Sequence, residues 1–152
     1  MKSLVIYTSR TGNTEKVADA IAEVVDAEAI NVDSISDRNE FWSEYDDSSL
    51  VFIGSGVYAN NTSKELLQLL HSVPQNKGLN FAIFATWLGR GQSAQKMISQ
   101  LTSIIKSRGA SIFDENYLCF GKSFGLIRRN HPDQSELEDA GSWAKKVIDY
   151  QG

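Results

Sequence analysis

The sequence predicts an α/β domain in which a parallel sheet is covered by helices on both faces. Three observations lead there. Short continuous apolar runs recur along the 152 residues, as strands buried on both faces require. Each run is followed by a segment whose apolar residues fall at helical spacing. Neither an internal repeat nor a low-complexity linker breaks the alternation, so residues 1–152 are expected to form one domain.

The first run is Leu4-Val5-Ile6-Tyr7, and residues 13–26 follow it with Val17, Ala20, Ile21, Val24 and Val25 on one stripe. Ala29-Ile30-Asn31-Val32 reads as a second strand. A weaker helix is expected over about 36–46, with Phe41, Trp42 and Tyr45 facing inward. Leu50-Val51-Phe52-Ile53 is the third strand and ends at Gly54-Ser55-Gly56. The helix after it carries Leu66, Leu67, Leu69 and Leu70 and stops near Pro74. Phe81-Ala82-Ile83-Phe84 is the fourth strand, ending at Thr86. Ala94, Met97, Ile98, Leu101, Ile104 and Ile105 mark the next helix, closed by Gly109 as its C′ residue. A fifth strand lies within 110–120, with no insertion to split it. The last helix, about 134–149, buries Leu137, Ala140, Trp143, Ala144, Val147 and Ile148. In such sheets ligands bind beyond the carboxyl ends of the strands, which directs attention to loops 8–14, 54–63 and 86–91.

Composition narrows the chemistry. Hydrophobic residues make up 41% and charged residues 22%, ordinary values for a globular protein. No apolar run approaches a membrane span, and the opening MKSLVIYTSR lacks a secretory core and cleavage site, so a cytoplasmic protein is expected. Cys119 is the single cysteine and the two histidines, His71 and His131, are far apart, which leaves no material for a disulfide or a Cys/His metal site. The net charge of −4 is unevenly spread: residues 1–47 carry 11 acids and 4 bases, whereas 77–129 carry 8 bases and 2 acids. No arginine-rich run or basic–aromatic repeat argues for nucleic acid. Cys119 reads as a buried, inert thiol, and neither histidine has a partner for acid–base work.

The stretch YTSRTGNT, Tyr7 to Thr14, concentrates hydroxyls, an asparagine and a glycine at the mouth of the first helix. A helix start offers unpaired N–H groups and a partial positive charge, both suited to a phosphate. Ser9, Thr11 and Thr14 add hydroxyl donors, Gly12 admits a close approach, and Asn13 can cap or donate at the same turn. Capping alone calls for one such residue, whereas five occur within seven positions. The Gly–Lys–Ser/Thr ending of a P-loop is absent, as are the spaced glycines of a dinucleotide fingerprint.

At these residues the chain resembles the flavodoxin family. Ser9-Arg10-Thr11-Gly12-Asn13-Thr14 is similar to that family's Thr/Ser-x-Thr-Gly-x-Thr loop, FIGSGVYANNTSKELLQLL looks like its second flavin loop, and FATWLGRG stands in the place of the third. The segment CFGKSFGLIRRNHPDQSELEDAGSWAKKVI resembles the C-terminal part of a flavodoxin-like subgroup with a GSGxY loop. The resemblance spans nearly the whole chain and implies a short-chain, flavodoxin-like three-layer sandwich with strand order 2-1-3-4-5. It also implies FMN as cofactor: Ser9, Arg10, Thr11, Gly12, Asn13 and Thr14 around the phosphate, and Ser55, Gly56, Val57, Tyr58, Ala59, Asn60, Thr86, Trp87, Leu88, Gly89, Arg90 and Gly91 around the ring. A flat, apolar ring edged with polar atoms needs aromatic covers, for which Tyr58 and Trp87 stand in the right places. Trp42 and Trp143 fall on helical stripes and are expected in the core. Ser55, Thr62 and Ser63 either contact the ligand or cap the third helix, with capping expected of the latter two.

The resemblance implies a function as well: single-electron transfer at an exposed flavin edge, with redox partner proteins docking transiently over loops 54–63 and 86–91, and a monomer. A peptide in 57–61 would turn a carbonyl toward flavin N5, and Asn60, or else Asn61, is expected to take positive φ, because asparagine tolerates that region better than Ala59. Arg10 and Arg90 depart from the acidic surroundings usual in the family and are expected to raise the potential of the second electron. Two other readings stay open: an FMN-dependent quinone or protoporphyrinogen-type oxidoreductase, and a flavin-free binding domain on the same fold.

Overall fold

The computed structural model describes residues 2–46, 49–57, 62–87, 92–120 and 132–151. Its strands are β1 (Ser3–Thr8), β2 (Ala29–Asn31), β3 (Leu50–Gly56), β4 (Asn80–Trp87), β5 (Ser111–Ile112) and β6 (Tyr117–Phe120), and its helices are α1 (Asn13–Val25), α2 (Arg38–Ser43), α3 (Lys64–His71), α4 (Ser93–Ser107) and α5 (Gln134–Gln151). All pairings are parallel, in the order β2-β1-β3-β4-β5, with β6 also on β4. This is the expected flavodoxin-like α/β arrangement.

Side chains of successive strand residues point to opposite faces, which divides the core in two. Leu4 and Ile6, Val51 and Ile53, and Phe81 and Ile83 meet α3, α4 and Trp42 on one side. Val5 and Tyr7, Phe52, and Ala82 and Phe84 meet α1 and α5 on the other. Each layer is anchored by one of the tryptophans expected in the core. The Trp42 indole N–H donates to the Leu69 carbonyl at 3.1 Å, and that of Trp143 to the Glu115 carbonyl at 3.1 Å. Both polar tips are therefore satisfied while the rings bury their apolar area.

Four elements differ from expectation, each for a local reason. Strand β3 continues through Gly54-Ser55-Gly56, at which the third run was expected to end, and β4 passes its expected end at Thr86 by one residue, to Trp87. Gly54 is a strand residue because it stands beside Phe84, whose ring fills the space a side chain would need: a Cβ there would lie 2.1 Å from the ring. The helix expected over 36–46 is confined to Arg38–Ser43, since the Asp37 carboxylate accepts from the N–H groups of Asn39 and Glu40 and fixes its start.

The fifth strand is two short pieces. Phe81 pairs with Ile112 and Phe84 with Tyr117, so residues 113–116 stand opposite only 82 and 83. This bulge sends the Phe113 ring into the α5 side of the core and presents the Glu115 carbonyl to Trp143. Gly109 is the C′ residue as expected: at φ 74 it donates to the Lys106 carbonyl, while Ala110 donates to that of Ile105.

Candidate functional site

Polar residues are almost absent from the buried interior, and where they occur is informative. The described residues include six buried polar side chains: Thr8, Asn13, Thr14, Ser49, Ser55 and Thr86. All but Ser49 lie at the carboxyl ends of β1, β3 and β4 or in the first turn of α1. Thr8 stands beside Ser55 across one strand pair, and Gly56 beside Thr86 across the next. Parallel strands thus bring residues from three distant segments to one edge of the sheet.

The loop between β1 and α1 is arranged around its own hydroxyls. Gly12 takes φ 85 and provides the N-cap of α1, which has no side-chain cap. The abundance of Ser, Thr and Asn is therefore not spent on capping the helix. The Gly12 N–H donates to Ser9 Oγ at 3.0 Å, and Asn13 Nδ2 donates to Thr11 Oγ1 at 2.8 Å. A hydroxyl that accepts still owns its proton, so Ser9 and Thr11 keep O–H donors for an incoming acceptor. No atom stands within 4 Å of where a Gly12 Cβ would be, which leaves room for a ligand over the backbone. Arg10 is exposed on the same loop.

Two features of this edge escape sequence inspection. Thr14, on the first turn of α1, shares a hydrogen bond of 2.9 Å with Thr86 near the end of β4. Glu15 adds a carboxylate at the same helix start, and the Tyr7 hydroxyl donates to it at 3.2 Å. Burial, followed by the Glu15 charge, pushes the Tyr7 hydroxyl above its ordinary pKa, so it remains a donor at neutral pH. Spacing along the chain signals neither contact; both arise where α1 packs on the sheet.

The remaining candidates fall into two groups. Ser55 is buried and donates to the Gly56 carbonyl at 2.7 Å, while Val57 and Trp87 are half-buried at the ends of their strands. The Val57 N–H donates to the Thr86 carbonyl at 2.9 Å, tying the root of the second loop to β4. Tyr58, Ala59, Asn60 and Asn61, together with Leu88, Gly89, Arg90 and Gly91, lie outside the described residues, as does the expectation of positive φ at Asn60 or Asn61. His131 lies outside them too. Ser63 caps α3 by accepting from the Leu66 N–H, but Thr62 donates instead to Gln100 Oε1 on α4 at 2.7 Å. Cys119 is buried, and burial pushes its thiol up to about 12, consistent with an inert side chain.

A phosphate monoester fits this edge. It accepts hydrogen bonds and donates none, and it meets hydroxyl donors, a glycine with open space above it, and a helix start without a side-chain cap.

Comparison with known proteins adds a family. A family model described as a flavodoxin domain matches residues 4–128. An uncharacterized protein of Methanocaldococcus jannaschii is 30% identical over an alignment covering 97% of this chain and 99% of the relative. The flavodoxin-like domain-containing protein BilS of Clostridioides difficile is 26% identical, with 97% of each chain covered. Among solved structures, oxidised flavodoxin 1 of Bacillus cereus superposes with a TM-score of 0.76 over 98% of each chain at 18% identity, a likeness of fold.

Proposed function

The chain belongs to the flavodoxin family, and from that premise we propose that it binds FMN and carries single electrons between redox partner proteins. The observation that carries this reading is the hydroxyl-lined, uncapped start of α1 at the carboxyl edge of the sheet. Ser9, Thr11, Gly12, Asn13 and Thr14 hold the phosphate through neutral dipoles, with Arg10 the one cation of the loop. Ser55 to Asn60 and Trp87 to Gly91 form the two sides of the ring site, with Tyr58 and Trp87 as its covers, while the Thr86 hydroxyl, bonded to Thr14, belongs to the phosphate side.

Bound FMN supplies one-electron redox chemistry at the exposed edge of its ring. The protein's part is to bind, orient and shield. The Val57 N–H and the Thr86 carbonyl are joined directly, which fixes the spacing of the strand ends from which the two ring loops leave. Cys119 and Tyr117, the latter donating to the Glu136 carbonyl, are both pushed to higher pKa by burial first, followed by Glu136 for Cys119 and by Cys119 itself for Tyr117. Neither supplies a proton donor or nucleophile of ordinary acidity. Among the described residues no group of His, Cys, Asp and Glu is placed to hold a metal ion, and no helix is long and apolar enough to cross a membrane.

A redox titration of the FMN-loaded protein tests the proposal. Two well-separated one-electron steps are expected, with negligible turnover of quinones by a reduced nicotinamide. A single two-electron step with rapid quinone turnover would replace the carrier by the oxidoreductase.

A further inference from the structure

The buried pair Thr14 and Thr86 joins residues 72 positions apart, and both are nearly inaccessible, at 1% and 4%. Two hydroxyls carry two protons, and their mutual bond uses one. If Thr14 donates, the remaining proton belongs to Thr86, at the end of β4. If Thr86 donates, it belongs to Thr14, on the first turn of α1, where the helix N–H groups and the positive end of the helix dipole converge. The 2.9 Å separation permits either arrangement. An acceptor-only ligand at that turn favours the second, since only there does the spare proton face it.

We propose that Thr86 is a positioning residue for the phosphate site: its hydroxyl donates to Thr14 and thereby turns the Thr14 proton toward the anion. This rests on the reading above, in which that anion is the phosphate of FMN. Thr86 is well placed for the task. Its carbonyl accepts from the Val57 N–H, and its backbone stands between Gly56 and Cys119 in the sheet, so strand pairing on both sides holds it in place. A hydroxyl presented from a rigid strand orients its partner at little further entropic cost, which a residue on a loose loop does not. Thr86 therefore contributes to phosphate affinity through Thr14 rather than by touching the ligand.

The test is a fluorescence titration of the flavin-free full-length protein with FMN and with riboflavin, which lacks the phosphate. Thr86→Val is expected to weaken FMN binding by about tenfold, the usual consequence of losing one well-oriented hydrogen bond to an anion, and to leave riboflavin within about twofold. Thr86→Ser, which keeps the hydroxyl, restores most of the FMN affinity. In a Thr14→Val background, Thr86→Val has no further effect on the ratio of the two affinities, because the group it orients is gone. Equal losses for both flavins, no loss for either, or a Thr86→Ser protein no better than Thr86→Val would each overturn the relay and leave Thr86 a packing residue. Should Thr86→Val fail to fold, Thr86→Ala is carried through the same comparison. Wild-type protein that binds neither flavin refutes the proposed function, and the relay with it, before any substitution is made.

Discussion

The two ends of the sheet are built from different chemistry. Toward the amino ends and through the middle of β1, β3 and β4, residues such as Leu4, Val5, Val51, Phe52, Phe81 and Ala82 are buried and wholly apolar. Among the described residues the one buried polar side chain there, Ser49, spends its hydroxyl on Asp46, three residues earlier in the same turn. At the carboxyl ends the pattern reverses within two or three residues: Thr8, Ser55 and Thr86 are buried, and Asn13 and Thr14 close over them from α1. Burying polar groups is tolerated only when they find partners: Thr14 and Thr86 bond to each other, Asn13 donates to Thr11, and Ser55 donates to the Gly56 carbonyl. The apolar end is organised for stability. At the polar end Ser9 and Thr11 accept hydrogen bonds and keep their own protons, the capacity on which the proposed phosphate site rests.

The comparison is open to a double dissociation. Phe52 is fully buried and packs edge-on against Trp143, with ring centroids 5.7 Å apart. Phe52→Ala is expected to lower unfolding stability by about 4 kcal/mol in denaturant titrations, while the folded fraction keeps its FMN affinity. Gly54 sits where the two chemistries meet, and Gly54→Ala drives a methyl into the Phe84 ring. A loss of about 3 kcal/mol is expected there, with partial recovery when Phe84→Leu is added. Stability unchanged by Gly54→Ala would show that the strand end yields easily.

Thr14→Val reverses the balance of effects. It strands the Thr86 hydroxyl without its partner, for about 1 kcal/mol of stability, and removes the hydroxyl that the proposed function assigns to the phosphate, for an expected loss of about 2 kcal/mol of FMN affinity by calorimetry. A larger loss of stability than of affinity would place Thr14 with the core rather than the site.

The last effect is confined to alkaline pH, where it amounts to about 1.4 kcal/mol at pH 10. Cys119 titrates normally once unfolded, near 9, but burial raises it to about 12 in the folded protein. The unfolded chain therefore loses its proton first as pH rises, so this contribution is intact below pH 9 and is lost between about 9 and 12. The slope is at most about 1.4 kcal/mol per pH unit. Cys119→Ala should flatten that limb, measured by chemical denaturation at pH 8, 9 and 10; an unchanged slope would assign the loss to other groups, Tyr117 foremost.

Much of this division is legible in the sequence. Strands buried on both faces must be continuous apolar runs, so the middle of β1, β3 and β4 announces itself, and the hydroxyl-rich stretch before α1 stands out by density alone. Boundaries are harder to read. Gly54-Ser55-Gly56 has the composition of a turn, and only the Phe84 ring across the strand pair explains why it continues the sheet. The bulge at 113–116 is set by the packing of Phe113 and Trp143, neither of which marks an interruption locally. Most of all, the contact between Thr14 and Thr86 depends on the order in which strands assemble, which no local pattern encodes. The loop residues suggested an anion; the register revealed what stands behind them.

The central claim is that the polar end of the sheet grips a phosphate, and calorimetric titration of the wild-type protein with FMN and riboflavin addresses it most directly. Tighter binding of FMN by roughly a hundredfold, near 2.7 kcal/mol, is the result the account predicts. Equal affinity for the two flavins would contradict it, because the hydroxyls around α1 would then have no anion to hold.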